Sequence, residues 1–421
     1  NTLRLKNLTL GANTLTVTGA NSYGLGFAGP ATLTGDATVN ATSAPLSFNG
    51  VISGTGFSLT KSGAANLVMT AANTYDGDTV VNAGKVLLNG SGALAGYSTI
   101  NATGTLEIDE TGTSGTVNRL PDSATVTLNG GTLKLTAASN VAHIEDIGAL
   151  NLLGGQSSVV VAATGTGDAQ FVADSISRSP GSLLSVTRSG TTEIGNLLIG
   201  GIADATPLTY VIVNGPTLNG QTGYYQKLPT DQGVIALPSS LFYVTQQDGN
   251  WEDAATWNGG VVPPADSFVK IANNVAITGV APVLVKYLAF DAAADVVNPT
   301  SIGANLSGPG SLIVSSGGIT LAGTSNINCD IDFAGTEGFF NTPDNTLLAI
   351  SGVITATAGM TKTGNGKLVL TGNNTVAGTT SVVAGELGLG SSNALGTGPL
   401  LLGNASTLTA ENTPIFLSNP I

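Results

Sequence analysis

Two pairs of acidic residues are the part of this sequence whose type and spacing could support catalysis. Glu107 and Asp109 lie two positions apart, and Asp330 and Asp332 share that spacing. On a β-strand, residues two positions apart project to the same side, and a pair of carboxylates is the machinery of glycoside hydrolysis. The pairs share no motif, and few cations or aromatic residues lie near them to hold a sugar. We therefore interpret them as solvated strand faces.

Histidine and cysteine offer less chemistry still. The chain has one histidine, His143, and one cysteine, Cys329. No recognisable nucleophile motif lies near His143, so a Ser-His-Asp site is not predicted, and we interpret His143 as a surface or turn residue. A single cysteine forms neither an intramolecular disulfide nor a metal cluster. The sequence predicts no catalytic residue, and the protein is expected not to be an enzyme.

Two acidic segments resemble calcium-binding loops: Asp76-Gly77-Asp78, and Asp291 with Asp295. Neither has the spacing of an EF-hand or of a glycine-aspartate nonapeptide repeat. In a second copy of the first segment, Ala377 and Thr379 replace the two aspartates. A structural calcium ion should have kept its ligands in both copies. We predict no metal and no cofactor, and structural Ca²⁺ stays open as an alternative.

Four aromatic residues are candidates for recognition: Trp251, Trp257, Tyr224 and Tyr225. Stacked aromatic rings often form a platform for sugars. The alternative is structural, because large rings beside a Gly-Gly turn would pack over the hydrophobic end of a module. We favour packing at a module end and keep recognition as the alternative.

The composition restricts the elements that can position these residues. Glycine supplies 58 of 421 residues, charged residues supply 9% and hydrophobic residues 42%. So much apolar surface predicts a folded chain. The abundance of Gly, Thr, Val, Asn and Ser disfavours helices and favours strands, and only Val141 to Leu153 has faint helical character. The formal net charge of −13, with no cluster of cations, excludes a nucleic-acid partner, and no stretch reaches the roughly 18 apolar residues of a transmembrane helix.

An internal repeat organises the chain. Thr60-Lys61-Ser62-Gly63 matches Thr361-Lys362-Thr363-Gly364, and the match continues without gaps to Ala93-Leu94 and Ala394-Leu395. Within each copy, alternating apolar runs of about four to six residues are separated by Gly, Asn and Ser, as is typical of strands. Each run would form one side of a coil that buries its apolar face only against neighbouring coils. The sequence predicts an all-β parallel β-solenoid in the shape of an elongated rod, with roughly 20 residues a coil and about twenty coils.

A segment rich in Trp, Pro and Asp divides the chain into two modules. It covers residues 249–271 and would open the second module. The first module is predicted to span 1–245, with one repeat at about 54–110 and a strand-rich closing segment. The second is predicted to span 246–421, with a repeat at about 352–410.

At these residues the sequence resembles the autotransporter-associated β-strand repeat family, found in very large secreted surface proteins of Gram-negative-type bacteria. The family pattern is Lys-x-Gly, then Leu-x-Leu-Thr-Gly-x-Asn-Thr, Gly-x-Thr, Gly-x-Leu and Ala-Leu-Gly. It is similar to Lys362 through Gly396 and, with more departures, to Lys61 through Gly96. The resemblance implies a right-handed parallel β-helix, carried as an exported passenger that is displayed or released at the cell surface.

The expected function follows from this fold and this resemblance. We expect a non-enzymatic structural protein, extracellular or associated with the outer membrane, that forms a surface fibre, a filament or a surface layer. Its partner would be itself, through head-to-tail or lateral association, because end coils offer unpaired edges. The first alternative is an adhesin that binds surface glycans or cells, and the second is a polysaccharide-cleaving β-helix enzyme.

Overall fold

A computed structural model describes residues 2–20, 23–112, 118–137, 143–163, 169–189, 196–202, 207–214, 224–227, 234–236, 239–272, 275–279, 282–290, 305–308, 310–411 and 414–420. The chain divides into two units. One comprises Asn1–Thr206, Val211–Gln221 and Tyr225–Ala236, and the other comprises Pro207–Tyr210, Thr222–Tyr224 and Leu237–Ile421. The division into modules at residue 245 stays a prediction.

Strands follow one another from the N-terminus to Ala236. They are Thr2–Leu5, Leu8–Leu10, Thr14–Val17, Gly24–Phe27, Ala31–Leu33, Ala37–Ala41, Leu46–Phe48, Ile52–Ser53, Leu59–Ser62, Leu67–Met69, Thr79–Leu88, Ser98–Glu110, Val126–Asn129, Thr132–Ala137, His143–Gly154, Gln156–Ala163, Ala169–Arg178, Leu183–Ser189, Asn196–Ile199, Pro207–Asn214, Tyr224–Lys227 and Val234–Ala236. The faint helical character predicted from Val141 to Leu153 is wrong, because His143–Gly154 is a strand whose side chains alternate in burial over its first half.

The remainder of the chain has the same character. Two short 3-10 helices cover Ser239–Leu241 and Ala254–Thr256. The strands are Phe242–Val244, Gly249–Asn250, Ser267–Ile271, Ala276–Thr278, Val283–Phe290, Asn305–Leu306, Ser311–Leu321, Thr324–Ile327, Asp330–Asp332, Gly338–Asn341, Leu347–Ile350, Ile354–Ala356, Met360–Thr363, Lys367–Leu370, Thr375–Val376, Thr380–Leu389 and Leu400–Ala410.

Neighbouring strands come from successive coils and run parallel. Ala37–Ala41 pairs with Leu59–Ser62, which in turn pairs with the start of Thr79–Leu88. An antiparallel pair forms where Tyr224–Lys227 meets Val234–Ala236. The chain is thus an all-β parallel β-solenoid, as predicted, and it makes about 15 turns. Its right-handed coil direction stays a prediction.

The interior of each unit is built from rows of apolar side chains stacked in register. In the first unit, one row contains Leu46, Leu67, Val86 and Leu106, all fully buried. A parallel row begins with Phe27 and Phe48, whose rings stack with centroids 5.4 Å apart. Burying one such side chain stabilises the fold by about 1.5 to 3 kcal/mol. Each coil therefore depends on the coils before and after it for the closure of its core.

The length of a coil changes along the chain. In the two copies of the repeat, hydrogen bonds link residues 20 positions apart on successive coils, as from Asn73 to Ala93 and from Asn374 to Ala394. In coils between residues 151 and 182 and between residues 277 and 307, the corresponding bonds link residues 26 to 30 positions apart, and in the first coils of the chain they link residues 22 to 25 positions apart. The predicted coil of 20 residues therefore holds within the repeats, and the predicted count of twenty coils is too high because the other coils are longer.

Candidate functional site

A buried lysine marks each copy of the repeat. The Nζ of Lys362 donates to the carbonyl oxygens of Thr363, Gly364 and Ala384 at 3.2, 2.6 and 2.9 Å. Lys61 repeats this arrangement with the carbonyls of the matching residues at 2.7, 2.6 and 3.0 Å. An ammonium group carries three N–H donors, so each lysine can donate to all three carbonyls around the Gly turn, and in the second copy Thr363 O also accepts from Thr342. Gly364 has a φ of 78°, which glycine adopts at little cost.

Burial changes the acidity of both lysines. It lowers the pKa of Lys61 to about 8 and that of Lys362 to about 7, because desolvation disfavours the charged form. Such values are often found at reactive lysines. Here each Nζ is held by three backbone carbonyls from two coils, so the lysines join successive coils.

A buried asparagine forms a second link in each copy. The side-chain oxygen of Asn73 accepts from the amide of Ile52 at 3.0 Å, and its Nδ2 donates to Ala93 O at 2.9 Å. Asn374 makes the matching bonds to Ile354 and Ala394 at 2.8 and 2.7 Å. One amide side chain thereby bridges the coil before it and the coil after it. This accounts for the Asn-Thr dipeptide in both copies.

A cluster of buried charged residues closes the first repeat. Arg119 donates through Nε to Glu110, and its two terminal nitrogens donate to the carbonyls of Gly92 at 2.7 Å and Gly90 at 2.9 Å. The carboxylate of Glu145 accepts from the backbone amides of Arg119 at 3.0 Å and Leu120 at 2.5 Å. The Glu145 carboxylate thus accepts two amide hydrogen bonds of the kind that backbone carbonyls of the next coil accept elsewhere in the ladder. The cluster lies where coils of 20 residues give way to longer ones.

His143 belongs to the same cluster, which corrects its predicted position at a surface or turn. It lies on the strand His143–Gly154 and is only 2% exposed, with Nδ1 at 4.0 Å from Glu110 Oε2. Within the described part of the chain, neither ring nitrogen has a hydrogen-bond partner. The strand's alternation directs both His143 and Glu145 into the interior.

Stability of the first unit should fall as the pH rises from about 5 to about 8. Burial raises the pKa of Glu145 to about 8, despite the amides that donate to it, and Glu110 adds to the rise. Between these pH values the carboxyl group of Glu145 keeps its proton in the folded state. In the unfolded state it has lost that proton, because its pKa there is the ordinary value near 4.5. This difference of one bound proton lowers the free energy of unfolding by up to about 1.4 kcal/mol for each unit that the pH rises. Chemical unfolding of the full chain at several pH values measures the slope, which Glu145→Gln should flatten.

Glu107→Gln is the matched control for this experiment. Burial raises the pKa of Glu107, but hydrogen bonds from Lys134 and Lys85 outweigh it and bring the pKa to about 2. Its contribution is therefore complete above pH 4.5 and is lost only as the pH falls toward 2. The slope between pH 5 and 8 should be the same with and without Glu107. An unchanged slope in Glu145→Gln would contradict the assignment.

The carboxylate pairs have structural partners, and the interpretation as a solvated strand face is wrong for Glu107, which is buried between two lysines. Glu107 forms ion pairs with Lys85 at 2.7 Å and Lys134 at 2.8 Å, and Asp109 accepts from Thr111 N at 2.9 Å. In the second unit, the two carboxylates accept from backbone amides at 2.8 Å: Asp330 from Val353 and Asp332 from Ala334. A carboxylate that stays ionised between two lysines is unsuited to act as a general acid.

The predicted calcium segments are only partly covered by the structure. Asp76 accepts from the amide of Gly56 at 2.5 Å, and the amide of Asp78 donates to Ser58 Oγ at 3.1 Å. Asp291 and Asp295 lie outside the described residues. Across the described ranges, no group of three His, Cys, Asp or Glu side chains is placed to hold a metal ion. The same ranges contain no helix with the length and hydropathy to cross a membrane.

The two tryptophans are packed in the interior of the second unit. Both are buried, at 2% and 0% exposure, and their rings meet edge to face with centroids 4.9 Å apart. Trp257 Nε1 donates to Trp251 O at 2.8 Å. Tyr224 and Tyr225 start a strand, and their side chains lie outside what the structure describes. The tryptophan rings therefore present no face to a ligand at the surface.

An outward-facing polar surface was not identified from the sequence. Six strands of the first unit, one from each of six successive coils, carry two outward residues each in the pattern Thr-x-Asn or a close variant. We call these twelve residues the outer polar face. One row contains Thr14, Thr38, Thr60, Val80, Thr99 and Thr127. The other contains Thr16, Asn40, Ser62, Asn82, Asn101 and Asn129. The recurrence of Thr and Asn at intervals of 19 to 28 positions was the available signal in the sequence.

Comparison with known proteins identifies the repeat. The family model of the passenger-associated-transport-repeat matches residues 59–88 and 360–389, the two segments that contain the buried lysines. A stretch of 110 residues is 37% identical to the adhesin BmaC autotransporter of Brucella suis biovar 1 (strain 1330). It covers 25% of this chain and 3% of that protein. No solved structure matches the chain. The resemblance seen in the sequence is therefore confirmed: the chain carries two copies of the autotransporter passenger repeat.

Proposed function

We propose that this chain is a non-enzymatic, adhesin-type segment of a passenger displayed at the surface of a Gram-negative bacterium. The observation that carries the proposal is the coil-by-coil register, which repeats the same outward side chains in straight rows while closing the interior. A surface of this kind offers a partner many equivalent contacts. The similarity to a segment of an autotransporter adhesin supports the same role.

The non-enzymatic part of the proposal is supported by the positions of the titratable groups. Glu107 is held between two lysines, and the aspartates at 330 and 332 cap backbone amides. His143 lies in the interior rather than beside a nucleophile at the surface. These residues all contribute to the structure of the solenoid.

Adhesion by the full chain tests the proposal directly. Beads coated with the chain should be retained on epithelial monolayers or on bacterial lawns at least about tenfold better than beads coated with albumin, because many weak contacts act together. Retention should disappear when the coating protein is first unfolded by heat. Equal retention of the two kinds of bead on every surface would count against an adhesin role.

The same experiment addresses self-association. Leu3 and Leu5 are 63% and 43% exposed, although the register partner of Leu5, Phe27, and the next residue in that row, Phe48, are buried. They are the candidate contact for end-to-end stacking of a second copy. Clumping of coated beads with one another, relieved by Leu3→Lys, would favour a fibre or filament over adhesion to other surfaces.

A further inference from the structure

None of the twelve residues of the outer polar face is charged, and the charged residues Lys85, Glu107 and Asp109 lie further along two of the same strands. The lysine at position 61, in the middle of the third strand, points inward to its carbonyls. In a protein with a net charge of −13, two adjacent rows of six uncharged outward residues are a distinct surface. The face is rich in hydroxyl and amide groups, which donate and accept hydrogen bonds. A neutral partner rich in hydroxyl groups is its chemical complement.

The amides of the second row are already aligned. Asn101 Nδ2 donates to Asn82 Oδ1 at 2.6 Å, and Asn129 Nδ2 donates to Asn101 Oδ1 at 3.2 Å. These bonds hold three side chains in one geometry before any ligand arrives. Each amide has two donors and two acceptor sites, so bonding capacity remains for a ligand. Alignment in advance reduces the entropy lost on binding.

An exposed aromatic ring lies at the edge of the face. Tyr97 is 57% exposed and directly precedes the strand Ser98–Glu110, so it projects to the same side as Thr99 and Asn101. Its carbonyl accepts from the amide of Thr79, which places it in register with Asp78 on the preceding coil. A flat ring beside hydrogen-bonding groups is suited to pack against the face of a sugar ring.

The aspartates in the row of Tyr97 favour a neutral ligand over an acidic one. Asp36 accepts from the amide of Ser58 at 2.9 Å, and Ser58 Oγ accepts from the amide of Asp78 at 3.1 Å. The carboxylate of Asp36 is thus held by a backbone amide, and the backbone of Asp78 is held by the Ser58 hydroxyl, so both acidic side chains lie in the row of Tyr97, where they can accept bonds from sugar hydroxyls. A polymer with carboxylates or sulfates of its own would be repelled.

The spacing of the rows suits an extended polymer. Neighbouring strands are about 4.8 Å apart, and outward residues two positions apart on one strand are separated by about 6.6 Å. A sugar residue in an extended β-linked chain has a length close to the first of these spacings. A glycan lying along the rows would meet an equivalent set of groups at each coil.

The equivalent positions of the second copy do not offer this surface. Thr361 and Thr363, the counterparts of Thr60 and Ser62, are 0% and 3% exposed. Ser381, on the next coil, is also buried. Among the described residues, the second copy of the repeat therefore lacks this surface at the matching positions.

We infer that the outer polar face, with Tyr97 at its edge, binds a neutral, extended β-linked polysaccharide along the direction of coil stacking. The inference rests on the proposed adhesin role and gives it a ligand class. Tyr97 stacks on one sugar ring, while Asn82, Asn101 and Asn129 bond hydroxyls of successive residues. Affinity therefore grows with the length of the oligosaccharide up to the number of coils on the face.

Binding of the full chain to insoluble cellulose and chitin, and to soluble cellohexaose and chitohexaose, tests the inference. We expect binding to at least one of these probes, with the hexamer bound more tightly than the dimer. Tyr97→Ala should weaken binding at least about tenfold, and Asn101→Lys, which places a charge in the row, should abolish it. Tyr23→Ala is the matched control, because Tyr23 is also half exposed but lies outside the three rows, and it should bind like the natural chain.

Several results would overturn the inference. One is the absence of binding to all four probes. Another is binding that Tyr97→Ala leaves unchanged, or a preference for the acidic polymer alginate. Dimerisation that Asn101→Lys removes in sedimentation velocity would assign the face to a second copy of the chain. A chain that still holds beads to cells but binds none of the glycans would keep its adhesin role and lose this ligand.

Discussion

Replacing Arg119 with methionine is expected to lower the unfolding free energy of the first unit by about 3 to 5 kcal/mol. The guanidinium is fully buried and bonds to Glu110 and to the carbonyls of Gly90 and Gly92. Its removal leaves a buried carboxylate without its countercharge and two carbonyls without their donor. Hydrogen exchange of amides in the strand Ser98–Glu110 measures the loss.

Two further variants make the test of Arg119 specific. Lys85→Met removes an ion pair from the partly exposed Lys85 side chain to Glu107, and it should cost less than about 1 kcal/mol. The double variant Arg119→Met with Glu110→Gln removes the uncompensated charge, so it should recover a large part of the loss. If Arg119→Met were no more harmful than Lys85→Met, the cluster would not hold the end of the first repeat.

The second large effect is expected from Lys362→Met. The substitution keeps the length and apolar part of the side chain but removes three N–H donors from the carbonyls of Thr363, Gly364 and Ala384. A buried acceptor left without a partner costs about 1 to 3 kcal/mol, and relaxation of the turn offsets part of that cost. The carbonyl of Thr363 keeps its hydrogen bonds from Thr342, so we expect a total loss of about 2 to 4 kcal/mol in the second unit. Hydrogen exchange within Thr380–Leu389 reports it locally.

Lys367→Met is the matched control for Lys362. Its ammonium is partly exposed and pairs with Glu386 at 2.8 Å and Glu411 at 2.7 Å. Exposed ion pairs contribute about 0 to 1 kcal/mol, so this variant should change exchange little. Amides of the first unit should be protected equally in both variants. Similar losses in the two variants would show that the buried lysine has no special role in the repeat.

The fold was predictable because its determinants are local and repeated. Alternating runs between Gly and Asn clusters gave the strands, and the matching of Lys61 with Lys362 gave the stacked coils. The number of coils was not predictable, because coils outside the repeat are longer and have no second copy against which to recognise their ends. The faint helical character after Val141 was overridden by the pairing of His143–Gly154 with the strand Ala169–Arg178.

The candidate sites were less accessible from the sequence. Glu110, Arg119 and Glu145 are separated by loops, and only the stacking of coils brings them together in the interior. Burial of His143 follows from the phase of its strand, which a single residue cannot reveal. Tyr97 could not be identified as a candidate from the sequence, because no other aromatic residue lies near it. The aligned asparagines could have been found, since Asn82, Asn101 and Asn129 each follow a hydrophobic residue that itself follows Thr or Val.

The coil-to-coil bonds made by Lys61, Lys362, Asn73 and Asn374 have a consequence for how such proteins change in length. The lysines bond carbonyls of their own turn and of the next coil, and the asparagines bond the coil before and the coil after them. A duplicated segment therefore brings its own coil-to-coil hydrogen bonds. Unequal recombination between copies can then insert or delete whole repeats without disturbing distant ones. Genes that encode this repeat would be expected to vary by complete repeats rather than by fractions of one.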